Sequence, residues 1–279
     1  MKFLDKKRAY KYLENISYYR FSAYSYIFRK DNGKNQLFVD STSFERVLNI
    51  YLFDRKLKLL IFDIIERIEV ALRTQIIYHF SQNYGPYFFQ NENLFSNNLF
   101  FQENLKHLDK EINRSFETFI KHYKKKYSNP NRPPAWMSFE VASLGLLSKF
   151  YRNLKNCDEK KRISEHFGLM HPYVLESWIQ NISFVRNIIA HHSRLWNRKL
   201  TITAKKPRRI KYQWVENKQY NAHSIYAFLI IVLYLGKRIN PNINFSKKIK
   251  NLITEYKKDV DLEKMGFPIN WQNEKLWGI

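Results

Sequence analysis

An all-α fold is predicted for this 279-residue chain by three observations. Only seven glycines and eight prolines punctuate it, too few for the many turns of an all-β or doubly wound fold. Apolar residues recur at three- and four-residue spacing through its clearest segments, the period of an amphipathic helix. Hydrophobic residues make up 44% of the chain and aromatics 17%, enough to bury a real core and to argue against general disorder. The length admits one large domain or two small ones.

Taken in order, residues 6–29 form the first helical segment, rich in aromatics at Tyr10, Tyr12, Tyr18, Tyr19, Phe21, Tyr24 and Tyr26. Asp31-Asn-Gly33 is a turn signal. From Ser43 to Gln82, Phe44, Val47, Leu48, Tyr51, Leu52, Leu59, Phe62, Ile65, Ile68, Leu72 and Ile76 keep helical spacing. Ser43 is a plausible cap, incomplete because Arg46 stands where a capping box has Glu. Tyr84-Gly-Pro-Tyr87 ends that helix, and another is expected from Phe101 to Tyr127. Ser128 to Pro134 is the strongest loop signal and reads as an inter-helix connection. Helices are then expected at about 135–154, 158–167, 172–197, 221–238 and 245–258. Leu200-Thr-Ile-Thr203 and the segment from Tyr212 to Val215 are candidates for one small β-hairpin over the basic loop Lys205 to Lys211.

Forty-eight Lys and Arg against 25 Asp and Glu leave a net charge of +23 and a pI near 9.9. Such a chain attracts polyanions, so nucleic acid is the expected partner. Compositional drift in an AT-rich genome competes with that reading, but it explains surplus Lys better than missing Asp and Glu. The lone Cys157 leaves no internal disulfide and no cysteine-rich zinc site, and reads as an ordinary, partly buried thiol. Met-Lys-Phe-Leu-Asp-Lys-Lys-Arg at the start has no apolar leader segment, and the apolar run Ile225 to Leu235 is too short to span a bilayer. A cytoplasmic protein with no membrane contact and no cofactor is expected.

The chemistry concentrates in Phe184-Val-Arg-Asn-Ile-Ile-Ala-His-His-Ser-Arg-Leu-Trp-Asn-Arg198. Its Arg186-x4-His191 spacing is weak by itself. With 17 arginines and eight histidines, about one or two such matches arise by chance. Helical phase says more. At roughly 100° per residue, Ser183, Arg186, Asn187, Ala190, His191, Arg194 and Arg198 fall in one arc of about 140°. Val185, Ile188, Ile189, His192, Leu195 and Trp196 face the other way. The functional reading makes His191 a general acid or base, Arg186 a clamp on a scissile phosphate, and Asn187 an orienting group one turn before His191. RNA carries its own nucleophile in the 2′-hydroxyl, so positioned cations and proton-transferring groups suffice to give a 2′,3′-cyclic phosphate and a 5′-hydroxyl. Geometry alone leaves His191 open between this role and a solvated histidine. For His192 a core histidine competes with an RNA contact, and Arg194 and Arg198 read as phosphate-positioning or structural. Lys205, Lys206, Arg208, Arg209, Lys124 and Lys125 are candidate backbone contacts, each weighed against an ordinary solvated cation. No metal ligand set is read, since adjacent histidines diverge on a helix and no carboxylate lies nearby. Arg73 and His79 repeat the pattern with a gap of five; there a buried structural network of Arg73 with Glu66 and Glu69 is preferred.

The 184–198 stretch resembles the signature of the abortive-infection (Abi) proteins, AbiD/AbiF-like, a bacterial phage-defence family within the HEPN superfamily of helical RNases. Other blocks agree: Tyr12-Leu-Glu-Asn-Ile-Ser-Tyr-Tyr-Arg-Phe-Ser-Ala-Tyr24, Tyr51-Leu-Phe-Asp-Arg-Lys-Leu57 through Arg67-Ile-Glu-Val-Ala-Leu-Arg73, Pro134-Ala-Trp-Met-Ser-Phe-Glu-Val-Ala-Ser-Leu-Gly145, and Met265-Gly-Phe-Pro-Ile-Asn-Trp271. The similarity covers nearly the whole chain in the expected order. It implies a single HEPN-like helical bundle with extra helices over residues 1–279, its motif helix at about 172–198 and C-terminal helices at about 221–258. It further implies a homodimer with a composite site, in which Arg186, Asn187 and His191 carry over as the motif residues. The implied activity is a metal-independent endoribonuclease of phage defence, in some relatives a toxin restrained by an RNA or protein antitoxin. The alternative is a module that holds a small structured RNA without cutting it.

Overall fold

The computed structural model describes residues 1–30, 37–217 and 219–278. The turn expected at Asp31-Asn-Gly33 lies outside the described residues. Within them the chain is all-α: eleven α-helices, short 3₁₀ turns, and only isolated β-bridges. No helix is long and apolar enough to cross a membrane among the described residues.

The fold is built around α3, Phe44–Tyr84, a 41-residue helix about 60 Å long. Ser43 caps it by accepting from the Arg46 N–H, and Gly85, at φ 78°, ends it. Its buried stripe runs Val47, Ile50, Asp54, Leu57, Ile61, Ile64, Ile68, Leu72, Ile76 and Phe80, one side chain per turn. Against it packs α10, Ile225–Ile239, whose residues from Ile225 through Gly236 are all buried. The approach is close: a Cβ at Gly236 would lie 2.6 Å from the Ile64 side chain. α8 (Asp158–His166), α9 (Pro172–Ala190) and α11 (Phe245–Glu255) also lean on α3. α7 (Leu144–Asn153) packs between α9 and α4 (Asn98–Arg114).

Several predicted boundaries are corrected. The segment 6–29 breaks into α1 (Lys6–Asn15) and α2 (Tyr18–Ser25), because Ser17 starts a new helix by capping the Arg20 N–H. The helix expected over 101–127 is two, α4 and α5 (Thr118–Lys126): at the break the Ser115 hydroxyl takes the Glu117 N–H, a local turn that competes with helix. Likewise 135–154 divides into α6 (Ala135–Ser138) and α7, with Ser143 capping α7 while Glu111 of α4 accepts from both its N–H and its hydroxyl. The helix expected over 221–238 begins at Ile225, capped by Ser224. That expected to reach 258 ends at Glu255.

The hairpin is absent. Backbone groups of residues 200–205 are taken by side chains instead: Asn181 donates to the Ile202 carbonyl, Trp178 to the Lys205 carbonyl, and the Ser177 hydroxyl accepts the Lys205 N–H. Leu200 pairs with His223, and Trp214 stacks on Trp178 at 5.4 Å. Among the described residues, 212–215 join no strand ladder.

Candidate active site

Helix α9 starts with Pro172 in its first turn, where a missing N–H costs nothing. Its buried face carries Val185, Ile188 and Ile189, while Asn187, Ala190 and His191 are exposed and Arg186 half-exposed. The predicted phase therefore holds from 184 to 191. Ser183 departs from it, being buried against α7.

The helix does not continue to 197. His191 is its last half-helical residue, and His192 takes a left-handed backbone with φ 54°. The Ser193 N–H bonds the Ile188 carbonyl at 3.0 Å and the His192 N–H bonds Ile189 at 2.9 Å. These are the paired closing bonds of a Schellman motif, with histidine where glycine is usual. His192 is consequently exposed rather than a core histidine, and Arg194 and Arg198 reach the site from a loop, not from the helix face.

That loop is held from outside. The Asp54 carboxylate, fully buried on α3, accepts from the Leu195 and Trp196 N–H groups at 3.1 and 2.6 Å and from the Tyr24 hydroxyl at 2.6 Å. Lys58, one turn on, pairs with Asp54 at 3.1 Å and donates to the Ser193 carbonyl at 3.2 Å. Arg20 donates to the His192 carbonyl at 2.7 Å, Arg194 to the Ala23 carbonyl, and Arg198 to the Arg194 carbonyl at 2.6 Å. Burial pushes the Tyr24 hydroxyl well above its ordinary pKa, reinforced by the Asp54 charge. Burial also pulls the Arg194 guanidinium below its ordinary value.

His191, His192, Arg194 and Arg198 share a cleft of about 650 Å³ with Arg20, Tyr19, Tyr24 and Tyr26 of α2 and the following turn. Tyr19 is 88% exposed at its edge. Arginine side chains and tyrosine rings thus stand around His191. Arg20, Tyr19, Tyr26 and the anchor Asp54 are not among the sequence-derived candidates. The signal for Asp54 was its position in the apolar stripe of α3, between Ile50 and Leu57.

Asn187 borders a different cleft, with Ser143, Lys149 and Arg152 of α7. Arg186 feels the charge of Glu69 on α3, which also bonds Arg73 at 2.9 Å. Burial holds the Glu69 carboxyl above its ordinary pKa despite both arginines. The charge of Arg186 thus reaches the carboxylate that Arg73, the buried structural member, bonds directly. Arg73 also donates to the Ala142 carbonyl at 3.2 Å. Glu66 is exposed, and no bond joins it to Arg73 among the described residues.

The remaining candidates lie elsewhere. Lys205 is bonded beside Ser177 and sits 4.9 Å over Tyr173, about 20 Å along α9 from His191. Lys206 donates to the Tyr220 carbonyl and lies over its ring, while Arg208 and Arg209 are exposed on the same loop. Lys124 bonds Ile112 and Asn113 of α4, and Lys125 follows it on α5. Cys157 is half-buried, and burial raises its thiol pKa.

No curated protein and no solved structure matches this chain. A family model described as Abi-like protein matches residues 11–197, from α1 through the loop pinned by Asp54. The chain accordingly belongs to the Abi-like family of abortive-infection, phage-defence proteins.

Proposed function

We propose that this protein is an endoribonuclease of phage defence, of the HEPN kind, that cleaves RNA without a metal ion. The observation that carries the reading is the end of α9, where Arg186, Asn187 and His191 follow one another and His191 opens onto a cleft of arginines and tyrosines. The 2′-hydroxyl attacks the adjacent phosphorus, forming O2′–P and breaking P–O5′. One histidine accepts the 2′ proton, another group returns a proton to O5′, and Arg186 neutralises the crowded phosphorane. Each chain brings one such set, so the reading includes a homodimer in which two α9 ends face each other. In support, Leu59, Phe62 and Val70 are exposed apolar groups on α3. They neighbour Lys58 and Glu69, the α3 residues that engage the loop and Arg186. A small antitoxin RNA would be the restraint.

One observation favours a second reading, an RNA-holding module that does not cut. Within one chain Asn187 and His191 border separate clefts, and Glu69 bonds Arg73 rather than Arg186. Purified protein freed of bound RNA, incubated with end-labelled RNA in EDTA, separates the two. The nuclease yields 2′,3′-cyclic phosphate ends that His191→Ala abolishes and Arg186→Ala reduces by about 100-fold or more. Tight binding with intact RNA overturns it in favour of the holding module, and activity that appears only with added metal overturns the metal-free mechanism.

A further inference from the structure

The cleft between α4, α7 and α9 touches the proposed site only at Asn187, yet it has the chemistry of a nucleic-acid groove. Its inner part, about 380 Å³, is lined by Gln180, Ser183, Asn187, Lys149, Arg152 and His107 among others. An outer part of about 370 Å³ adds Asn97, Phe100 and Glu103 and shares Lys149 and Arg152 with the inner one. The two parts adjoin at Lys149 and Arg152.

Lys149 and Arg152 are exposed and one turn apart on α7, on the same face. Neither side chain has a hydrogen bond or ion pair among the described residues, and the same holds for Gln180 and Ser183. Of the two carboxylates on the walls, Glu111 spends both oxygens on Ser143, at 2.8 and 2.9 Å, and has Arg114 at 3.6 Å. Glu103 stands only on the outer wall. Gly145 and Ser183 lie side by side in the inner part, where a Cβ at Gly145 would stand at an ordinary contact distance of 3.5 Å from the Ser183 hydroxyl. Phe100, half-exposed at the outer end, offers a ring face.

We propose that this groove carries a single RNA strand between the His191 end and the outer end of α4. Lys149 and Arg152 take successive phosphates, Gln180 and Asn187 meet unpaired bases or ribose, and Phe100 stacks a base. The proposal rests on the RNA reading above and names the path its substrate takes. An open, two-part groove suits a strand better than a lone nucleotide, and amides that read base edges require an unpaired one.

The test measures binding separately from cleavage. A fluorescein-labelled single-stranded RNA is titrated by anisotropy with the full chain carrying His191→Ala. The same titration is run with Lys149→Ala and Arg152→Ala added, and with Lys257→Ala and Lys258→Ala added as a charge-matched control on exposed residues elsewhere. The groove variant should bind about 10-fold more weakly or worse, and its log–log salt slope should fall by about 1.4. The control should stay within about twofold. Groove and control variants that bind alike overturn the path, as does the absence of single-strand binding by the His191→Ala chain. Displacement of the strand by excess uridine monophosphate would instead make the groove a free-nucleotide site and also overturn it. The EDTA cleavage assay on the unmodified chain reports independently: cleavage with an indifferent groove removes only the path, and a required groove without cleavage removes only the nuclease.

Discussion

At position 54 a carboxylate occupies the α3 stripe that otherwise carries isoleucine, leucine, valine and phenylalanine. Burying it is compensated by four donors: two loop N–H groups, the Tyr24 hydroxyl and the Lys58 ammonium. Truncation would leave Lys58 buried beside two orphaned N–H groups. Asp54→Ala should therefore lose about 3–5 kcal/mol in urea unfolding, with Asp54→Asn losing less. An Asp54→Ala chain as stable as the parent would show that the loop is held by something else. His192 is the opposite case, a side chain in the left-handed region. His192→Gly should stabilise the fold by about 0.5–1 kcal/mol in the same assay, the relief of left-handed strain exceeding the entropy glycine costs. If its ring also meets RNA, affinity drops while stability rises, a split no purely structural role produces.

The elements are limited by local hydrogen-bond competition more than by propensity. Ser17, Ser115 and Ser143 each break a longer apolar pattern by offering a hydroxyl to a nearby N–H. The tail is fastened by one glycine. Gly266, at φ 79°, closes a 3₁₀ turn so tightly that a Cβ would lie 2.3 Å from the Cβ of Ser224, the cap of α10. Behind it Phe267, Trp271 and Trp277 bury together with Tyr226 of α10. Gly266→Ala should cost about 2–4 kcal/mol, combining left-handed strain with overpacking. Thermal melts would check it, and a melting temperature equal to the parent's would mean that this contact yields freely.

Across the whole molecule, acid should weaken the fold. His79 is held below its ordinary value of 6.5 by burial, then by the charges of Arg162 and His166, and His166 by burial and Arg238. A histidine with a depressed folded pKa binds fewer protons than the unfolded chain. Its contribution is therefore complete above about 6.5 and drains as pH falls through the window down to the folded value. Glu69, raised by burial, has the opposite sign and loses its contribution as pH rises above 4.5 through its folded value. The histidines outnumber it, and the net charge of +23 grows further in acid. The melting temperature should fall between about pH 7 and pH 5.5. Replacing both His79 and His166 with Gln should flatten that fall; an unchanged slope would place the titrating groups elsewhere.

Helix spacing, scarce glycine and the cap at Ser43 are local properties, so the all-α class and the course of α3, α8 and most of α9 were legible in the sequence, whereas the cap at Ser143 that starts α7 was not. So was the exposed stripe from Arg186 to His191, because phase along a helix needs no knowledge of what packs against it. The end of α9 was not legible. Nothing in Ala-His-His-Ser forbids another turn, and the helix stops there because Asp54, Lys58 and Arg20, from more than 130 residues away in the chain, claim the backbone groups that a further turn would use. The hairpin failed for a similar reason, the Ile202 carbonyl being taken by Asn181 of α9 and the Leu200 carbonyl by His223. Periodicity reports which face of a segment is buried. Only the packed structure decides which distant polar group outbids the local hydrogen bond, and here that competition set His191 on its cleft.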